Sequence, residues 1–566
     1  MKKDKIVIYQ VLPRLFGNKN STRKPNGSLQ ENGSGKMADF THKALESIKQ
    51  LGATHIWYTG IIEHATQTEF KDQGIPADHP AVLKGIAGSP YAIKDYYDIA
   101  PALATQVDKR LTEFENLVNR SHQNDLGVIL DFVPNHVARS YKSDSQPKGI
   151  NDLGATDDQT LSFSPYNNFY YIPNTPFTPQ FDTNDPEFGP YVEIPARVTG
   201  NDQFTPSPHI NDWYETIKLN YGVDYQNGGK QHFDPIPDTW LKMRDILLYW
   251  ADKKVDGFRC DMAEMVPVEF WNWVIQEVKK QYPEILFIAE VYDPNQYRNY
   301  LFQGKFDYLY DKVGLYDTLR AIVENRASTQ SITHCWQSLD GITDRMLNFL
   351  ENHDEQRIAS DFFAREPQKA IPAMVVSSLL NTNPIMIYFG QEFGESGMDE
   401  EGFSGLDGRT TIFDYWSLDS IQRWSNGGKF DGGKLTNEEK NLYATYKQIV
   451  KIAATEKAIS QGLFFDLMYV NPHSAHFDSN RQYAFLRKYK NQLLVVIANF
   501  SGETIETKLN IPQHAFDFLN LTPKEEYKTQ ELMSDTKETV TLSPHTPLTT
   551  SVGAYHSKVL KITLEK

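Results

Sequence analysis

Val255-Asp-Gly-Phe-Arg-Cys-Asp261 is the stretch whose reading decides the fold. It is short and partly apolar, and it follows a helical run, Trp240–Lys254, that closes on a lysine pair. That is the pattern of a buried strand after a helix. Side chains alternate faces along a strand, so Phe258 and Cys260 share one face while Arg259 and Asp261 share the other. In a barrel the apolar pair faces the outer helices. Arg259 and Asp261 then stand inside, at the strand's C-terminal end, where such barrels keep their active sites. A fixed guanidinium keeps a neighbouring carboxylate ionised, and an ionised, buried, oriented carboxylate is a candidate nucleophile. An isolated R-x-D is better read as a structural ion pair, so the assignment depends on the rest of the chain.

The same grammar repeats on either side. Upstream, the helical spacing of Leu111–Leu126 ends at Gly127 and leads into Val128–Phe132. Before that, Met37–Leu51 ends at Gly52, a helix C-terminal glycine, and leads into Thr54–Tyr58. Ile6–Leu12 is the first strand, and Asn18–Gly35, rich in Asn, Gly and Ser, is a loop. Downstream, Phe270–Gln281 leads into Ile285–Glu290, and Phe306–Leu309, Arg345–Leu350 and Pro384–Phe389 are strand-like. Helices alternating with short buried strands imply a parallel sheet. Eight such strands imply a closed (β/α)8 TIM barrel. An open doubly wound sheet is the competing layout, and the missing glycine-rich loop after the first strand weighs against it. Asn437–Ala453 is the last barrel helix, opened by a Thr436/Glu439 capping box.

Two intervals break the rhythm. Between His136 and about Phe233 there is no helical pattern, and prolines and turn dipeptides are frequent. So long a structureless loop is improbable, which makes this an irregular domain inserted after strand 3, over the barrel mouth. Beyond Ile459 the alternation stops, and Tyr483–Tyr489 and Gln492–Phe500 read as strands of a C-terminal β-sandwich. The expected division is residues 1–136 and 236–458 for the barrel, 137–235 for the inserted domain B, and 459–566 for the C-terminal domain.

A chain of 566 residues needs more than one core. Its net charge of −16 disfavours nucleic acid, phosphate-rich ligands and anionic membranes, and suits a neutral substrate. Aromatic residues reach 13%, a surplus that supplies flat stacking surfaces. Cys260 and Cys335 make no disulfide framework. The apolar run after the charged N-terminus is too short for a signal segment, and no run spans a membrane, so the cytoplasm is expected.

Four C-terminal strand ends carry polar groups: Asp131/Asn135/His136, Arg259/Asp261, Glu290 and Asn352/His353/Asp354. Each alone has a structural explanation, as a loop cap, an ion pair or a turn. Together they converge on one pocket holding Asp261, Glu290 and Asp354. Three carboxylates there suit glycosidic bond chemistry, in which a retaining enzyme needs one carboxylate as nucleophile and one protonated acid. The acid needs a raised pKa, which burial and like-charged neighbours supply. His136 and His353 can donate hydrogen bonds to sugar hydroxyls. The chain has no H-x-x-x-H or H-x-x-E-H spacing, so no catalytic metal is expected.

These stretches resemble the signature regions of the α-amylase family, glycoside hydrolase family 13, in the family's order: Asp131–His136, Gly257–Asp261, Glu290 in Ile-Ala-Glu-Val, and Asn352–Asp354. The resemblance covers roughly residues 1–460. It implies that Asp261 is the nucleophile, Glu290 the acid/base, and Asp354 the third carboxylate, which holds substrate hydroxyls and helps distort the sugar. Arg259, His136 and His353 would position the nucleophile and the glucose being cleaved, with Asp131 supporting them from behind. Tyr91 resembles the tyrosine that stacks on that glucose; a plain core role is its rival. The resemblance also makes Asn135 a candidate ligand of a structural calcium, with no cofactor required for the chemistry. The implied function is hydrolysis of α-1,4 links in malto-oligosaccharides or starch-type glucans. Where many starch-degrading members carry Lys-His shortly after the nucleophile, this chain has Met262-Ala-Glu-Met265, which keeps glycosyl transfer or sugar isomerisation as the alternative. A non-catalytic binding protein on the same barrel is a further alternative, disfavoured by the three intact carboxylates.

Overall fold

The structure, a computed structural model, describes residues 5–564; the charged N-terminal residues before Lys5 and the last two residues lie outside it. Its central sheet has eight strands: β1 (Val7–Val11), β2 (His55–Tyr58), β3 (Gly127–Phe132), β4 (Gly257–Cys260), β5 (Leu286–Ala289), β6 (Tyr308–Tyr310), β7 (Met346–Leu347) and β8 (Ile385–Tyr388). All neighbours pair in parallel, in chain order, and β8 pairs with β1. A parallel bridge between Asn348 and Ile385 closes the ring. The expected barrel is therefore present, and the open sheet is not.

Two-residue alternation builds the barrel. Ile8, Trp57, Ile129, Ile288, Tyr310, Leu347 and Met386 pack together as its interior layer. Phe258 and Cys260 point the other way, into the large core shared with the outer helices. Both cysteines are free and buried.

The helices that matter for the site are α1 (His42–Leu51), α2 (Arg110–Gln123), α3 (Asp238–Asp252), α4 (Val268–Gln281), α5 (Asp317–Val323), α6 (Gln330–Ser338), α7 (Ile371–Leu379) and α8 (Asn437–Thr455). α1 is shorter than its apolar spacing suggested. The Thr41 hydroxyl accepts from the Ala44 amide and caps the helix there, and Met37–Asp39 form a separate 3-10 turn. Gly52 ends α1 in the left-handed region, φ +113°, where a Cβ would lie 2.4 Å from Val450 Cγ1 on α8. The Thr436/Glu439 capping box opens α8 as expected. The Asn18–Gly35 loop holds one helical turn, Leu29–Asn32, fixed by a Ser28/Glu31 capping box.

Between β3 and α3 the described residues form only short two-stranded ladders, turns and one 3-10 turn. That stretch is the irregular insertion after strand 3. The C-terminal strands are β9 (Leu463–Asp466), β10 (Gln482–Tyr489), β11 (Gln492–Asn499), β12 (Ile505–Leu509), β13 (Lys524–Glu531), β14 (Thr536–Leu542), β15 (Leu548–Val552) and β16 (Ser557–Thr563). Six of them form an antiparallel sheet in the order β9-β10-β11-β16-β13-β14, and β12 pairs with β15 in a second, giving a β-sandwich. Among the described residues, no helix is long and apolar enough to cross a membrane.

Candidate active site

Strand register brings the acidic side chains together. Cys260 pairs with Ala289, so Asp261 and Glu290 are the next residues along two adjacent parallel strands. Backbone bonds carry the pairing past the strand ends: Asp261 N donates to Phe132 O at 2.9 Å and Glu290 N to Cys260 O at 3.1 Å. Neighbouring strands lie roughly 4.8 Å apart, so the two carboxyl groups start from backbone positions about one strand spacing apart. Asp354 arrives from the loop after β7. The Asn352 Oδ1 accepts from the amides of Asp354 and Glu355, each at 2.9 Å, and turns the chain so that Asp354 meets the pocket.

Arg259 joins these groups. Its Nη1 donates to Asp261 Oδ1 at 2.7 Å and lies 3.4 Å from Asp131 Oδ1. Its Nη2 lies 2.9 Å from Glu290 Oε2 as an ion pair, out of line for a hydrogen bond. The guanidinium is 1% exposed. The rings of Trp57, Tyr91 and Tyr310 stand 5.3, 5.4 and 5.5 Å from it, so cation–π attraction replaces part of the lost hydration. Glu290 is held at both oxygens: Tyr292 OH donates to Oε1, and the Met262 N–H donates to Oε2 at 2.9 Å. Met262 adopts φ +42°, the left-handed region, which aims that N–H at the carboxylate.

The imidazoles are neutral donors and acceptors. Burial, followed by the charge of Lys218, lowers His136 to about 3. Burial, followed by Arg259, holds His353 well below its ordinary value. As the Gln10 amide is oriented, its N–H donates to His353 Nδ1 at 2.9 Å, leaving the proton on Nε2. That Nε2 is 2.6 Å from the Tyr91 hydroxyl and 3.1 Å from Asp354 Oδ2. The Tyr91 ring stacks on His353 with centroids 5.0 Å apart.

The carboxylates differ from one expectation. Burial is the largest effect on Asp261 and, with Glu290 and Asp131, pushes its carboxyl well above the ordinary range, against Arg259. Arg259 therefore opposes the shift without reversing it. Burial pushes Asp131 up to about 6. Burial and then Glu290 raise Asp354, and its carboxylate remains 43% open to solvent, which limits the burial effect.

A cavity of about 330 Å³ opens above these groups, within the size range of small-molecule sites. Tyr91, His136, Asp261, Glu290, His353 and Asp354 all line it. Arg259 and Asp131 lie behind them; Asp131 accepts from Trp57 Nε1 at 2.9 Å. Trp213 from the inserted segment and Phe413 from the loop after β8 add aromatic walls, and Met262 adds an apolar one. Gln10, Trp57, Trp213, Tyr292 and Tyr310 were not singled out from sequence. Alternation along β2 and β6 could have found Trp57 and Tyr310; Tyr292, two residues beyond Glu290, carries no separate signal.

Asn135 does not fit a calcium ion. Its Oδ1 accepts from Lys218 Nζ at 2.8 Å, and its Nδ2 donates to Gly200 O at 2.8 Å. The ammonium, 2% exposed, also pairs with Asp202 at 2.5 Å. A cation is thus already supplied by the chain. Elsewhere, ligand atoms of Glu63, Asp95, Asp98 and Asp144 lie within 4.8 Å of one another, and this acidic cluster could hold a metal. Much of its acceptor capacity is in use: Asp95 accepts from Ser143 Oγ and the amides of Tyr97, Asp144 and Ser145, and Asp98 from Arg110.

The family model for the alpha amylase catalytic domain matches residues 10–462. Alpha-amylase 3 of Dictyoglomus thermophilum is 25% identical over 393 residues, covering 66% of this chain and 68% of that protein. Neopullulanase 2 of Thermoactinomyces vulgaris is 21% identical over 525 residues, covering 90% and 71%. The intracellular maltogenic amylase of Bacillus subtilis is 22% identical over 407 residues, covering 70% and 56%. Among solved structures, the noncanonic maltogenic alpha-amylase AmyB from Thermotoga neapolitana superposes with a TM-score of 0.63 at 20% identity over 100% of both chains. The alpha-amylase from Geobacillus thermoleovorans, complexed with acarbose, gives 0.64 at 19% identity over 100% of both. At those identities the structural likeness is one of fold.

Proposed function

Since the chain belongs to the alpha-amylase family of glycoside hydrolases, we propose that it cleaves α-1,4 links in malto-oligosaccharides or starch-type glucans with retention, through a covalent glycosyl-enzyme intermediate. The observation that carries this reading is the pairing of Asp261 and Glu290 on adjacent strands with one guanidinium between them. Retention needs two carboxyl groups about 5–5.5 Å apart, and in-register neighbours supply that scale.

In this reading Asp261 attacks the anomeric carbon, and Glu290 gives its proton to the departing oxygen. Glu290 then takes a proton from the water that releases the sugar. Asp261 reacts as the carboxylate: Arg259 favours that form against burial, and the developing positive charge of the sugar above it adds to the same side. Asp354 and His353 bind hydroxyls of the same sugar, His353 as a neutral Nε2–H donor. Tyr91 offers its ring face, and His136 a neutral ring. The substrate is an uncharged α-glucan, consistent with the charge of the chain. The relatives named neopullulanase and maltogenic amylase support short malto-oligosaccharide products. The division at residues 136, 235 and 458 follows the breaks in alternation, and the intracellular relative supports a cytoplasmic enzyme.

A second reading, glycosyl transfer to a sugar acceptor, is favoured by Met262, which lines the cavity with an apolar side chain directly after Asp261, where a sugar face can pack.

Incubation with maltoheptaose tests the proposal, with products followed by chromatography and their anomeric form by NMR. Short α-anomeric sugars are expected. Initial release of β-anomers would refute retention, and longer sugars at high substrate concentration would favour transfer. No release from a folded protein would refute the substrate class.

A further inference from the structure

Two charged side chains on one wall of the catalytic cavity take no part in the chemistry proposed above. Lys84 comes from the segment between β2 and α2, and Glu215 from the inserted segment. The short strand Thr216–Lys218 pairs antiparallel with His136–Ala138, which brings Glu215 up beside His136. The Glu215 carbonyl accepts from the Arg139 amide at 3.1 Å. Lys84 is held from both sides. Tyr214 OH donates to Leu83 O at 3.0 Å, and the Lys84 ammonium stands 5.6 Å from the centre of the Tyr214 ring. Gly85 packs so closely on the loop after β8 that a Cβ there would lie 2.3 Å from Phe413 O. Three segments thus lock one another along this wall.

Lys84 Nζ lies 3.0 Å from Glu215 Oε1, and the two side chains are 16% and 6% exposed. Glu215 Oε2 is buried and has no hydrogen-bond partner among the described residues. A buried carboxylate oxygen left in that state costs free energy and calls for an explanation. A structural clamp between two segments needs Oε1 alone and gives no account of Oε2. A pyranose supplies what is missing. Of two neighbouring hydroxyls, one donates to Oε2 and the other accepts from the ammonium. Trp213, two residues before Glu215, and Phe413 add ring faces to the same cavity.

The wall also has a definite side. Glu290, which faces the departing oxygen, stands at the end of β5. The loops after β8 and β2 flank β1, the strand opposite β5 in the ring. The wall therefore lies on the side of the sugar that stays with the enzyme. We propose that Lys84 and Glu215 determine specificity by binding a vicinal diol of the second sugar unit, next to the one that bonds to Asp261. Chains with at least two units on that side are thereby favoured over a single one. The inference rests on the reaction proposed above.

The test compares kcat/KM on α-maltosyl fluoride and α-glucosyl fluoride, which place two units and one unit on that side and share a leaving group. Wild type should prefer the maltosyl compound by about tenfold or more, the scale of a charge-assisted hydrogen bond. Lys84→Met/Glu215→Gln replaces the ion pair by neutral groups of similar size, a change that buried pairs tolerate. It should lose about tenfold on α-maltosyl fluoride and stay within about twofold on α-glucosyl fluoride. Glu215→Gln alone keeps an oxygen for the ammonium and serves if the double variant fails to fold. It should lose about threefold, on the maltosyl compound only. Equal losses on the two fluorides would overturn the proposal, because a clamp between segments affects both alike. Unchanged kinetics of the variants, or a wild type without preference for the maltosyl compound, would overturn it too. Those outcomes leave the α-glucan reading standing. A folded protein that turns over neither fluoride nor maltoheptaose would refute that reading, and this inference with it.

Discussion

Arg259 Nη2 lies 2.9 Å from Glu290 Oε2 while Nη1 of the same guanidinium donates to Asp261. One buried cation thus serves both carboxylates of the proposed chemistry. Truncating it leaves two carboxyl groups facing each other without a counter-charge. Arg259→Gln is expected to lower kcat/KM on maltoheptaose by about 10²-fold or more, the scale of a lost electrostatic stabiliser. Activity within a few-fold of wild type would show that the two carboxylates need no shared cation.

Glu290→Gln cannot supply a proton to the leaving oxygen. Its rate on maltoheptaose should fall by about 10²–10⁴-fold. The loss should be much smaller on α-maltosyl fluoride, whose leaving group needs little protonation. An equal loss on both substrates would remove Glu290 from the acid role.

Tyr292 donates a hydrogen bond to Glu290 Oε1. That bond fixes the carboxyl group that meets the departing oxygen, so Tyr292→Phe should lower kcat on maltoheptaose, by up to about 10²-fold if the carboxyl drifts, with KM changed much less. An unchanged kcat would show that Tyr292 does not position Glu290.

Lys218 occupies the position of a cation at Asn135. Lys218→Met leaves the Asn135 Oδ1 buried without its donor, at a cost of about 1–3 kcal/mol in thermal unfolding. Added calcium should not restore the loss, because a neutral carboxamide and one half-exposed carboxylate, Asp202, make a poor calcium site. Full stability of the variant would show that the ammonium is not holding the inserted segment to the barrel.

Glu392 is buried, and burial pushes it up to about 7 from an ordinary value of 4.5. Its Oε1 accepts from Tyr9 OH at 2.7 Å, and its Oε2 has no partner. Between those two values the folded chain holds a proton that the unfolded chain releases, so this group's contribution to stability falls as pH rises from about 4.5 to about 7. Glu392→Gln removes that dependence. Relative to wild type it should gain about 1 kcal/mol per pH unit across the window, measured by denaturant unfolding at stepped pH. A constant difference between the two proteins would mean that Glu392 is ionised in the folded state.

What could be read without coordinates is local. Two-residue alternation in Val255–Asp261 separates Phe258 and Cys260 from Arg259 and Asp261, and the structure keeps that separation. The helix–strand grammar counts eight strands, and the Thr436/Glu439 box fixes the start of α8. Boundaries moved where a cap competed with the apolar spacing, as Thr41 does at α1. The polar strand ends were legible as a group because barrel geometry sends all C-terminal ends to one mouth.

The sequence by itself determined the barrel, the place of the insertion and which side chains stand at the mouth. Periodicity and strand order settle those, and both are properties of neighbouring residues. The tertiary structure alone decided which groups share a partner. It put Glu290 on the same guanidinium as Asp261, raised the Asp261 carboxyl by burying it, set Gln10 against His353, and filled the Asn135 position with Lys218, 83 residues away in the chain. Charge and hydrogen bonding depend on distance and solvent access in three dimensions, and a linear pattern carries neither.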